Sequence, residues 1–540
     1  MPDWDSYHLH LHSRTAAVDG FLTSELAPLL DGLVADGQAS AWFFIRYGEG
    51  GPHLRIRVHG QPPSSSAELA ATLSRLGKAV PAVEGPWEST HGELRLVPYA
   101  PETERYGGES ALPEAEEVFA VSSRVAVLAL EGEPGAAQRL ALGIDLALTT
   151  ALALGLDRLA GARWLRRHAA GWRWVTEVPV LPGATVHARV NSVFALQHQA
   201  LVHRAEALWT GSAQPAAPWL ALWADRVRDS TVRELWVWAS QLHMLFNRLG
   251  ITPDEERAVC RLAARALLDA GEPPSFFPEG HRAPDHQYLE RSKFQAGRPL
   301  DSALRQLPPD ALTELGRPGP RDIALPADPL PAYPLHQVLT ERVSARGQLT
   351  GPLAVDTLGT LLWSTLAESH HSERQLSDGS TRSEAHRPYP SAGALYSVRL
   401  RLIALDVEGL AAGTYSCVPE QRALRPIGPA PSIDELTALS SYFSRPADDP
   451  DLVGIAEVPA VLGLHLEFGL LRRRYGLRAL RLGLLEAGHL AQTLLLTATA
   501  LGLRSVPLSG FLDDLAHELF GLDDTDQPLQ YLLPLGRRTD

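Results

Sequence analysis

Cysteine is nearly absent: Cys260 and Cys417 are the only two in 540 residues. Two thiols cannot build a disulfide framework or a thiolate metal site, and their scarcity suits a reducing cytoplasm. Lysine is equally scarce. Lys78 and Lys293 are the only ones, so beyond residue 293 no lysine base is available and arginine carries the positive charge. Positive charge is itself outnumbered, and a formal net charge of -14 argues against direct nucleic-acid binding, because counterion release needs clustered Lys and Arg. Long apolar runs are missing too. The most hydrophobic, residues 146–156, has about half the ~20 residues a membrane span needs, and Asp145 and Asp157 bracket it. No secretory signal opens the chain and no internal repeat is found. The expectation is a cytoplasmic protein without a membrane span.

Hydrophobic content of 45% and charged content of 21% lie in the ordinary globular range, so neither disorder nor a fibrous repeat is indicated. The length exceeds what one hydrophobic core usually serves, so two modules are expected. Eight prolines between positions 308 and 334 forbid regular helix or central strand there. That stretch, residues 306–335, is expected to be a linker between a module at 1–305 and one at 336–540. Eleven of the twelve tryptophans precede residue 240 and only Trp363 lies beyond the linker, as separate modules would show. Both modules are expected to be α+β.

In the first module, residues 42–46 and 54–58 flank a Gly-rich turn and read as a strand pair. Leu54, Ile56 and Val58 alternate with Arg55 and Arg57, so a period of two buries the aliphatics and aims both guanidiniums at the other face. His8, His10 and His12 alternate in the opening strand. No carboxylate or Cys spacing accompanies them, so they are read as strand decoration and no metal site is expected. Val232, Leu235, Ala239, Leu242, Phe246 and Leu249 recur at helical spacing before Gly250, and His243 and Asn247 share one flank of that helix. In the second module residues 353–366 and 480–503 read as helices and 398–405 as a strand. The 480–503 helix is apolar on most sides, which suits burial or a subunit interface.

Four segments of the second module carry chemistry in order. Arg342, Ser344 and Arg346 offer cationic and hydroxyl donors for a phosphate. The run Arg387-Pro388-Tyr389-Pro390-Ser391-Ala392-Gly393-Ala394-Leu395-Tyr396 puts small residues where backbone can approach a flat ring. Residues 502–511 and the terminal Leu535-Gly536-Arg537-Arg538 follow. In this order the segments resemble the nitroreductase superfamily, specifically the azoline dehydrogenases that make thiazoles and oxazoles in ribosomal peptide natural products. The resemblance implies FMN, with Arg342, Ser344, Arg346 and Arg538 near the phosphate, and Pro390, Ser391, Ala392 and Gly393 near the isoalloxazine. It also implies a homodimer with the flavin at its interface. The family places a Lys-Tyr pair before the long helix, and here the pair is Arg474-Tyr475. Arginine stays protonated, so Tyr475 is the candidate base and Arg474 an orienting cation.

The first module, through residues 42–47 and 51–57, Pro101 to Gly108, and Leu242 to Leu249, is similar to the glutamate-elimination domain of lantibiotic dehydratases. That resemblance implies elimination of glutamate from glutamylated Ser or Thr. Arg55 and Arg57 would clamp the glutamyl carboxylates, Arg105 would close the cluster, and His243 would transfer the proton. Nothing in the chain reads as the glutamylating domain of full-length dehydratases. The implied partners are therefore a separate tRNA-dependent glutamyltransferase, a cyclodehydratase and the precursor peptide. Two other readings of the first module stay open: a pyridine-forming cycloaddition enzyme, or a scaffold that docks the peptide. For the second, a broad NAD(P)H-dependent nitroreductase stays open.

Overall fold

The structure, a computed structural model, describes residues 4–175, 177–211, 217–269, 283–296, 315–375 and 379–538. The chain divides into two compact units, Met1–Leu181 with Ala188–Ala270, and Pro182–His187 with Gly271–Asp540. Both mix helices and strands, as expected.

Unit 1 is built on strands β1 (Trp4–His10), β2 (Ala41–Tyr47), β3 (His53–His59) and β4 (Leu94–Leu96), ordered β2-β3-β1-β4 in one sheet. The predicted alternation holds in β3, where Leu54, Ile56 and Val58 are all buried on one face. Helices α1 (Pro63–Ala79), α2 (Leu112–Leu130), α3 (Arg158–Gly171), α4 (Leu235–Arg248) and α5 (Pro253–Leu267) follow. In α4 the apolar positions Val237, Trp238, Leu242, Leu245 and Phe246 are buried. Gly250, at φ +74°, ends the run in the left-handed conformation that glycine adopts without strain. The helix begins three residues later than the apolar spacing suggested, because the Val232 carbonyl accepts from Trp238 Nε1 instead of entering the helix. Helix α5 starts at a Thr252 and Glu255 capping box, which satisfies two N-terminal amides.

In unit 2 the strands are β5 (Ile323–Ala324), β6 (Gly347–Thr350), β7 (Leu353–Ala354), β8 (His370–Gln375), β9 (Thr381–His386), β10 (Val398–Ala404), β11 (Val407–Glu408), β12 (Gly413–Val418), β13 (Ala423–Gly428), β14 (Val453–Glu457), β15 (Ala460–Leu466), β16 (Arg504–Ser505) and β17 (Leu529–Arg538). Nine of them form a sheet ordered β14-β6-β17-β15-β10-β12-β13-β5, with β16 paired to β17. Helices α6 (Val355–Leu366), α7 (Phe468–Tyr475) and α8 (Ala479–Ala500) accompany it, and Leu358, Leu362, Leu490 and Leu494 share a core with Leu400, Leu462 and Leu464. Strand β10 is buried along its whole length, since it is central in the sheet. Helix α8 buries one side, but Leu484 and Leu485 stand exposed on it.

The proline-rich stretch differs from the expected linker. Residues 306–314 lie outside the described residues. From residue 315 the chain is built into unit 2: β5 pairs β13, Leu325 lies in the core, and Trp363 Nε1 donates to the Leu325 carbonyl. Proline bars the middle of a ladder, but an edge strand tolerates it nearby.

Candidate active sites

In unit 1 the polar face of β3 is itself largely covered. Register pairs His8 with Arg55 and His10 with His53, so β1 and β3 put histidines and arginines on one face. Arg57 is buried, and burial followed by the charge of Arg55 pushes its guanidinium down to about 10. Arg55 sits 3.3 Å from the Tyr47 ring centroid and Arg57 5.4 Å from that of Tyr99. The His8 ring stacks on His53 at 5.1 Å. Burial, then Arg57 and Arg55, hold His8 down to about 3, while burial and His53 hold His10 at about 4. These rings are neutral at physiological pH, which is the state a cation-rich face favours.

A third cation, Arg248 at the end of α4, is fully buried. Its Nε donates to Ser123 Oγ, whereas both terminal nitrogens lack partners. It lies 5.4 Å from the Phe119 ring centroid in the cluster that holds Phe43, Tyr106 and Tyr99. Among the described residues no carboxylate pairs with Arg55, Arg57 or Arg248. Unpaired buried cations are costly by several kcal/mol, so this face favours an incoming anion.

Arg105 is placed otherwise. Its guanidinium is exposed and pairs with Glu102 at 3.2 Å, and no hydrogen bond or ion pair joins it to Arg55 or Arg57. The adjacent Tyr106 is the residue that reaches inward, packing on Phe119. His243 also makes no such contact with the arginine pair. Its Nδ1 meets Glu256 at 2.8 Å, and Trp172 packs at its ring edge. Asn247 exchanges two 2.9 Å hydrogen bonds with the Arg46 backbone, which ties α4 to the end of β2. No group of three His, Cys, Asp or Glu side chains with metal-binding geometry occurs among the described residues.

Unit 2 gathers its predicted residues into two groups. In the first, Ser344 bridges Ser505 and the Ala345 amide donates to the Ser505 carbonyl. Ser505 pairs Leu535, and Arg537 and Arg538 pair Thr350 and Leu349. Three of the four sequence segments therefore converge. Arg342 is half-buried and Ser344 exposed, and Arg346 reaches Asp451 at 3.6 Å with both side chains solvated. The Arg538 side chain lies outside the described residues.

The second group is the Pro390 to Gly393 loop with Tyr475. Gly393 has φ +59°, and a Cβ built on it would lie 2.5 Å from the Tyr475 hydroxyl. The phenol thus occupies space that only glycine leaves open. Glu486 of α8, 2% exposed, fixes the loop. It accepts from Ser391 Oγ at 2.6 Å, Ser397 Oγ at 3.1 Å and the Val398 amide at 2.8 Å. Arg474 is half-buried, and its side chain has no hydrogen bond or ion pair among the described residues. A cavity of about 460 Å³ runs along the loop and is also lined by His370, Glu384 and His386 of the β8–β9 hairpin. Among the described residues no hydrogen bond or ion pair joins the two groups.

Sequence reasoning missed Arg248, Glu256, Glu486 and the hairpin histidines. His8 was visible in the strand alternation, but its meaning depends on the register that sets it against Arg55.

Comparison with known proteins gives two family matches: lantibiotic biosynthesis dehydratase C-term over residues 4–267, and nitroreductase family over residues 339–537. A putative nitroreductase of Methanocaldococcus jannaschii is 30% identical over 213 residues, 38% of this chain and 92% of that protein. The microcin B17-processing protein McbC of Escherichia coli is 31% identical over 141 residues, 25% of this chain and 49% of that protein. Among solved structures, the pyridine synthase TbtD from thiomuracin biosynthesis is 22% identical at TM-score 0.37, over 50% of this chain and 98% of that one. No helix among the described residues is long and apolar enough to cross a membrane.

Proposed function

Because the chain belongs to the nitroreductase family through residues 339–537 and carries a lantibiotic dehydratase C-terminal domain over residues 4–267, we propose that it tailors one ribosomally made peptide twice. Unit 2 oxidises thiazolines or oxazolines to azoles with FMN, and unit 1 eliminates glutamate from glutamylated Ser or Thr. The likeness to a microcin-processing protein supports the peptide substrate.

For oxidation, the carrying observation is the Tyr475 hydroxyl set over Gly393. The residues present fit FMN: Pro390, Ser391 and Gly393 line a cavity of about 460 Å³, and Arg342, Ser344 and Arg346 converge with the end of β17 as phosphate donors. When bound, FMN accepts the hydride. Tyr475 takes the ring-carbon proton, Glu486 keeps the loop in shape, and Arg474 is the orienting cation. Arg474 itself cannot be the base. Two separated groups of predicted residues, with Leu484 and Leu485 exposed on α8, suit a homodimer in which each flavin contacts both subunits.

For elimination, the carrying observation is that the buried Arg57 and Arg248 and the half-buried Arg55 have no carboxylate partner among the described residues. Arg55 and Arg57 hold the glutamyl carboxylates, and His243 moves the proton. The Cα–H bond breaks, the Cα=Cβ bond forms, and the Cβ–O bond breaks to release free glutamate, so dehydroalanine or dehydrobutyrine and glutamate balance the substrate. The glutamylated peptide and the azolines come from a separate glutamyltransferase and a cyclodehydratase. Mass spectrometry of a pathway reconstituted with His243→Ala decides against the docking-scaffold reading if glutamylated peptide accumulates. Normal dehydration in that variant would refute the eliminating role.

A further inference from the structure

Glu256 is the most completely buried carboxylate near the proposed elimination chemistry, with 1% of its side chain exposed. It is held from two helices. His168 Nε2 of α3 lies 2.5 Å from Oε1, and His243 Nδ1 of α4 lies 2.8 Å from Oε2. Burial alone would raise the pKa of this carboxyl. Its contacts with His243 and His168 outweigh burial and hold it well below the usual range. An ionised carboxylate only accepts hydrogen bonds, so both imidazoles must donate to it. The proton of neutral His243 therefore sits on Nδ1, and the lone pair is left on Nε2. The Trp172 ring, 5.0 Å away at 68°, holds the plane of the imidazole. His243 keeps 16% of its side chain exposed, while its orienting group is sealed. Cys260, one turn on in the same helix, also faces Glu256.

We propose that Glu256 is a positioning residue for His243, fixing the Nδ1–H tautomer that leaves Nε2 free to take the α-proton. This rests on the reading that unit 1 eliminates glutamate through His243. The general logic is that of a buried carboxylate that orients a catalytic imidazole without itself becoming protonated.

The test uses the full-length chain and a synthetic peptide bearing O-glutamyl serine, with glutamate release and ¹⁵N NMR of His243 as readouts. Glu256→Gln should lower kcat at least ~100-fold with KM within about twofold, and should shift His243 toward the Nε2–H tautomer, since an amide can donate to Nδ1. His168→Gln, which keeps an N–H donor, should retain about a third of the activity or more. Unchanged kcat, or a raised KM alone, in Glu256→Gln would overturn the proposal. Full activity in His243→Ala would instead overturn the elimination reading, and the tautomer would still decide whether Glu256 orients the ring. Should Glu256→Gln not fold, wild-type His243 observed as the Nε2–H tautomer would refute the assignment, and the Nδ1–H tautomer would support it.

Discussion

Gly393→Ala separates the two things this glycine does. Its φ of +59° costs an alanine about 1 kcal/mol, and the new Cβ would meet the Tyr475 hydroxyl at 2.5 Å. That hydroxyl is the far end of a side chain and can retreat, so the fold loses little more than the backbone term. To reach ordinary contact the phenol must move roughly 1 Å, and a misplacement of that size costs about 100-fold in rate. The expected outcome is a yellow, folded variant with a melting temperature lower by a few degrees and azoline oxidation down by about two orders of magnitude. The double variant Gly393→Ala with Tyr475→Phe adds a control. Removing the hydroxyl relieves the contact, so the second substitution should cost no further stability while activity stays lost. The assay is mass spectrometry of a thiazoline peptide under air, with flavin absorbance and thermal melts in parallel. Wild-type oxidation by Gly393→Ala would refute the placement of Tyr475 as base.

Three other outcomes follow from the structure. Gly359→Ala should destabilise unit 2 by about 3 kcal/mol, because its Cβ would fall 1.7 Å from the Pro326 carbonyl oxygen; a neutral melt would mean that residues 323–328 are not packed there. Unit 1 should weaken in acid. With folded values of about 3 for His8 and 4 for His10, against 6.5 unfolded, the unfolded chain binds the extra protons. Stability is therefore complete above pH 6.5 and declines below it, by at most about 1.4 kcal/mol per pH unit and histidine, less for the partly exposed His8. Tryptophan fluorescence reports this unit, and an unchanged acid slope in His8→Gln would contradict the assignment. Arg57→Lys keeps the charge but loses the bidentate fork, so KM for glutamylated peptide should rise about tenfold; an unchanged KM would show that Arg57 does not hold the carboxylate.

What the sequence revealed was what local periodicity controls. The β3 alternation, the left-handed Gly250 after α4, and the Arg474-Tyr475 pair before α8 were all legible, because each depends on neighbours within a turn or a strand. Contacts set by tertiary packing were not. Glu256 lies thirteen positions beyond His243, on another helix, and its nearest sequence signal, the Thr252 and Glu255 capping box, advertises only a helix start. Glu486 carries no local signal on its apolar helix, although it accepts hydrogen bonds from Ser391 and Ser397. The prolines gave no sign that Leu325 enters the core of unit 2, since proline limits backbone pairing and not burial.

The central claim is oxidation of an azoline within a peptide by a flavin held beside Tyr475. Purified full-length protein loaded with FMN, given a synthetic thiazoline peptide and oxygen but no nicotinamide, should remove two hydrogens per ring, while Tyr475→Phe stays yellow and leaves the peptide intact. A yellow wild-type protein that leaves the thiazoline untouched yet consumes nicotinamide with a nitroarene would contradict the account.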